Sequence, residues 1–117
     1  MTQLEDLERY SRLWHIAEAC RHLTELLESH TATDLEADWM LRSVIERQLI
    51  IIGEALRRLT EVDPTTAGKI SDVPQIIAFR NQLVHNYPLI DYDKVWSVIR
   101  ENVPILLGEV RALLPPA

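Results

Sequence analysis

One stretch of the chain gathers side chains that can do chemistry together: Phe79-Arg80-Asn81-Gln82-Leu83-Val84-His85-Asn86-Tyr87-Pro88. Arg80 is permanently cationic, and its planar fork matches phosphate oxygens. His85 falls where a helix is about to end. The negative end of the helix dipole there favours the imidazolium and suits an acid/base near neutral pH. Asn81 can orient a substrate or a neighbouring side chain. At 100° per residue Asn81 and His85 share one face, Arg80, Val84 and Tyr87 share another, and Arg80 lies about 140° from His85. A single straight helix does not aim both at one small target. Fraying before Pro88, or a two-fold partner carrying a second copy, would bring them together, so the spacing favours a cleft at a homodimer interface. A plainer reading stands beside this one. Glu54 sits in the apolar run Ile50–Leu56 and needs a partner, which Arg80 could be, while His85 and Tyr87 close the helix end. The two readings coexist if Glu54 holds a catalytic arginine in place.

The elements that must position these groups are helical. Leu13, Ala17, Cys20, Leu23 and Leu27 continue a stripe that opens with Leu4 and Leu7, and predict a first helix over Thr2–Ser29. His30–Thr33 reads as a connector. Thr33-Asp34-Leu35-Glu36 has capping-box spacing, and a helix is predicted from there to Val62, with Asp38 as an alternative cap for a second piece. Asp63-Pro64 ends it. Thr65–Ser71 reads as a loop, Asp72 as the cap of a third helix with Pro74 in its first turn, and Asn86 as about its last residue. Asp91 caps a fourth helix, which Pro104 either kinks or splits. No strand alternation, heptad run or internal repeat is present. The expected architecture is all-α, a four- to five-helix antiparallel bundle over residues 1–117 as one domain.

Composition fits this and removes other classes. The chain has 117 residues, 47% hydrophobic and 26% charged, enough for one core without staples. Its single cysteine, Cys20, excludes an intrachain disulfide and fits a reducing compartment. No run approaches the ~20 apolar residues of a membrane span. Met1–Asp6 lacks the basic and apolar regions of a secretion signal, so a cytoplasmic domain is expected. A net charge of −6 argues against a broad nucleic-acid footprint, though a local cationic pocket stays open. His15, Glu18 and His22 share a face, but no second helix offers a matching set, and no metal or other cofactor is expected. Cys20 reads as a buried inert thiol, and Trp14, Trp39 and Trp96 as core or interface anchors.

The Arg-x4-His-x-Tyr signature of Arg80, His85 and Tyr87 resembles that of the HEPN-domain HepT-like toxins. Asn81 after the arginine agrees, as do Ile51-Ile52-Gly53-Glu54-Ala55 and Ile90-Asp91-Tyr92-Asp93-Lys94-Val95-Trp96. The resemblance implies a helical-bundle homodimer, the toxin of a two-gene toxin–antitoxin module, that cleaves RNA without metal between its protomers. It implies Arg80, His85 and Asn81 as catalytic residues. It also implies a minimal nucleotidyltransferase antitoxin that transfers AMP onto Tyr87, where added charge and bulk would block phosphate docking. DNA would be inert, because a ribose 2′-OH is the nucleophile. Two other functions remain open: a docking subunit without chemistry of its own, and a nucleotide-binding regulator in which Arg80 and His85 hold a phosphate.

Overall fold

Local capping sets where the helices begin. In the computed structural model, which describes residues 2–85 and 89–116, the Thr2 hydroxyl accepts the Glu5 N–H at 3.1 Å. The Glu5 carboxylate accepts the Thr2 N–H at 2.9 Å. This box satisfies donors that a helix start leaves orphaned, and α1 follows over Gln3–Ser29. The same device starts α2 (Ala32–Ala37), but with Thr31 and Asp34 as the pair, at 3.2 and 2.8 Å, and not Thr33 and Glu36. The earlier threonine wins because aspartate closes the box as glutamate would. The connector shrinks to His30 and Thr31.

Asp38 then separates α2 from α3 (Trp39–Val62), its carboxylate accepting from the Met40 and Leu41 N–H groups at 2.9 and 3.3 Å. The alternative break at Asp38 is therefore the one adopted. Asp63 and Pro64 end α3. Where a loop was expected over Thr65–Ser71, Asp63 caps a one-turn helix, α4 (Pro64–Ala67), in which Pro64 loses no bond. Asp72 stands before α5 (Val73–His85) with a left-handed φ of 59°, and its carbonyl accepts the Ile76 N–H at 3.0 Å. Aspartate is among the few residues that visit this region readily. Asp91 caps α6 (Tyr92–Glu101). Pro104 splits the last helix: α7 (Val103–Leu113) starts afresh with the proline in its first turn.

Two side-chain contacts give the direction of the main pair. Glu8 meets Arg58 at 2.7 Å and His22 meets Gln48 at 3.2 Å, so α1 and α3 run antiparallel. Between them and α6–α7 lies the core, with Leu13, Ile16, Leu23, Ile45, Leu56, Leu59, Val95 and Val110 all closed to solvent. Each such side chain contributes about 1.5–3 kcal/mol. The result is an all-α bundle, with five helices of ten or more residues and two short ones among the described residues. No helix among the described residues is long and apolar enough to cross a membrane.

Some apolar residues expected inside lie outside. Leu4 and Leu7 are exposed. Arg9 already lies against Asp63, where α3 ends, so the first turns of α1 have no α3 left to cover them. Trp96 packs partly on the core, whereas Trp14, edge-on to His15, and Trp39 are more than half exposed.

Candidate active site

The site is built where α5 lies on α3. Gly53, in the middle of α3, costs about 1 kcal/mol relative to alanine in a helix interior. Its backbone does not need the freedom, since no glycine has positive φ among the described residues. Space is what it provides. A Cβ built on Gly53 would fall within 3.0 Å of both Cβ and Cγ of Arg80. The arginine stem therefore crosses α3 directly over the glycine.

Beyond the stem, the guanidinium is held on two sides. One terminal nitrogen forms an ion pair with Glu54, and the other donates to Asn81 Oδ1 at 2.9 Å. Glu54 is shared with Arg57, one turn on, at 3.4 Å. The pair is only partly shielded, with side-chain exposures of 22% for Arg80 and 39% for Glu54. Arg80 Nε is buried without an acceptor among the described residues. A guanidinium carries five N–H donors. Among the described residues one N–H on each terminal nitrogen thus has no acceptor and can meet an anion.

His85 is the last residue of α5, exposed, and free of any bond to Arg80 or Asn81 among the described residues. The helix is regular to that point, so fraying of its described turns does not swing the imidazole toward Arg80. Arg80, Asn81 and Glu54 are brought together within one chain; His85 is not joined to them. Asn86 and Tyr87, read as helix-ending and modified residues, lie outside the described residues.

α5 is apolar for its length yet buries only Val73 and Leu83. Ile50, Ile51 and Ile77 are partly buried near the site, and Val84 is exposed. The helix rests on α3 with an open flank. A cleft of about 550 Å³ runs along its other side, between Ile76 and Phe79 of α5 and Val103 and Leu106 of α7. Neither Arg80, Asn81 nor His85 lines it.

The remaining candidates have local partners. His15 Nδ1 lies 2.6 Å from the Ser11 carbonyl, and His22 lies between Gln48 and Glu18. Burial pushes the Cys20 thiol up to about 12, which keeps it protonated and unreactive. Arg57 escaped the sequence reading, although it had a signal, its i,i+3 spacing from Glu54. Gly53 entered that reading only as part of a quoted segment, with no role of its own.

Comparison with known proteins gives the family. The chain matches the family described as Ribonuclease HepT-like over residues 16–113. It belongs to that family. It is 32% identical over 104 residues to a candidate RNase of Caldanaerobacter subterraneus subsp. tengcongensis, covering 87% of this chain and 90% of the relative. A candidate RNase of Methanocaldococcus jannaschii is 31% identical over 100 residues, covering 84% and 89%. A protein of Thermococcus cleftensis named as a candidate ribonuclease HepT is 27% identical over 101 residues, covering 84% and 88%. No solved structure matches the chain with significance. The HepT-like resemblance of the sequence is thus a family membership.

Proposed function

We propose that this HepT-like chain is a metal-independent endoribonuclease, the toxin of a cytoplasmic toxin–antitoxin module, working as a homodimer. The observation that carries the reading is the partly shielded Arg80 guanidinium, held by Glu54 and Asn81 with N–H donors to spare, on the same helix as His85. In this mechanism His85 takes the proton of a ribose 2′-OH. The oxygen attacks the adjacent phosphorus in line, the P–O5′ bond breaks, and a 2′,3′-cyclic phosphate forms. Arg80 neutralises charge growing on the non-bridging oxygens, and Asn81 orients the arginine. The partner subunit's His85 protonates the departing 5′ oxygen. Acid–base help supplies about 10²–10⁴ in rate, and one preorganised charge donor about 3–4 kcal/mol.

The 140° between Arg80 and His85 makes a second copy useful. The open flank of α5 and the partly buried isoleucines beside it are what a two-fold contact would cover. Regulation in this reading falls on Tyr87, to which a nucleotidyltransferase antitoxin transfers AMP. The new phosphate and nucleotide repel and occlude the RNA phosphate.

The Glu54–Arg80 pair is also what a docking subunit without chemistry would use to join two helices. Incubating the purified chain with end-labelled RNA in EDTA separates the readings. The nuclease cuts RNA, leaves the DNA of the same sequence whole, and loses activity in His85→Ala with the fold and dimer kept. Intact RNA, or undiminished cleavage by His85→Ala, overturns the proposal. Intact mass after co-expression with a nucleotidyltransferase tests the modification: one added adenylate, absent from Tyr87→Phe, is expected.

A further inference from the structure

We infer that Gly53 is a positioning residue for the proposed cleavage, the floor on which the Arg80 side chain is laid so that its guanidinium reaches Glu54 and the substrate phosphate. The inference rests on the reading of Arg80 as the phosphate-binding group. Its physical content is a distance. Any side chain at position 53 begins with a Cβ within 3.0 Å of Cβ and Cγ of Arg80. Those atoms are the root of the arginine, not its flexible end, so rotation cannot relieve the clash. α5 must move off α3 and lift the arginine out of its channel. That moves the guanidinium away from Glu54 and opens Nε, now buried.

Gly108 in α7 makes the contrast. A Cβ there meets nothing within 4 Å. Two helical glycines thus differ in what fills the space of the missing side chain: solvent at Gly108, the arginine stem at Gly53. A helix interior that accepts its worst ordinary residue for the sake of one cationic side chain breaks a local rule, as functional sites do.

The test compares Gly53→Ala with Gly108→Ala in the full chain. Fold is followed by circular dichroism, dimer by sedimentation, and cleavage on total tRNA and on a labelled mixed-sequence RNA. The Arg80 Nε–H proton signal is followed by NMR and assigned by its loss in Arg80→Lys. Gly53→Ala is expected to lower kcat by about 10²-fold with little change in KM, since displacement of a reacting group by 1 Å costs that much. Its Nε–H signal is expected to shift and exchange faster with water, while Gly108→Ala changes neither. Gly53→Ala with wild-type kcat and an unmoved signal overturns the inference. If the wild-type chain cuts no RNA, the proposed function fails, and the Nε–H signal alone decides the positioning: moved supports it, unmoved overturns it. If Gly53→Ala does not fold, Gly53→Ala/Arg80→Gly decides. Recovered folding supports the inference, because the obstructing side chain is gone, and continued failure overturns it.

Discussion

Two arginines reach across the bundle to carboxylates at α3, and they end in different conditions. At one end of the molecule Arg9 meets Asp63, whose side chain is 5% exposed, at 3.3 Å. Asp63 also accepts from the Thr66 N–H at 3.1 Å and its hydroxyl at 2.6 Å. Those bonds, the Thr66 hydroxyl foremost and Arg9 after it, hold the Asp63 carboxyl below the usual aspartate range. Every group there closes a turn or joins two helices. In the middle of α3, Glu54 meets Arg80 in a half-open seam, and the arginine keeps donors uncommitted over a glycine. Polar pairs that complete a backbone are saturated. A pair with donors to spare on an open flank is what the proposed phosphate contact would use.

Breaking the two pairs separately sharpens this contrast. The largest effect is expected from Arg80→Ala, a loss of about 10²–10³-fold in RNA cleavage with little change in melting temperature, read by single-turnover assay and thermal scan. Glu54→Gln keeps the shape but removes the charge that holds the guanidinium. About a tenfold lower kcat is expected, with KM nearly kept. Asp63→Ala reverses the pattern: about 1–2 kcal/mol of stability lost in urea unfolding with cleavage per folded molecule retained. Because the folded-state pKa of Asp63 is depressed, its contribution is present above about pH 4 and fades as pH falls through the native value. The wild-type advantage over Asp63→Ala should therefore shrink on acidification, and an advantage that grew would contradict the assignment. Smallest is Gly108→Ala, a gain of about 0.4–1 kcal/mol with unchanged cleavage.

Much of the architecture is local and was legible before the structure. Asp63 and Asp91 act on the next one to four residues, so their boundaries can be read along the chain, while Asp38 and Pro104 mark where a break can fall without deciding it. Read along the chain, Thr33 and Glu36 make the box, whereas the structure uses Thr31 and Asp34 at the same spacing, and spacing alone does not rank the two. The exposure of Leu4 and Leu7 depends on where α3 stops, which is set by Asp63, more than fifty residues away. The site divides the same way. Arg80, Asn81 and His85 lie within six residues and stand out by type, and the Glu54 partner follows from an acid among isoleucines. Gly53 was quoted as part of a motif, but its work is an interhelical distance. No reading along one strand of sequence contains that.

The central claim is that the Arg80–His85 site cuts RNA through its own 2′-hydroxyl. It is tested most directly with an RNA oligonucleotide carrying a single 2′-deoxy sugar at the cleaved position, incubated with the purified chain in EDTA. The account expects that linkage to stay whole while the all-ribose control is cut to a 2′,3′-cyclic phosphate. Equal cleavage of both would contradict it.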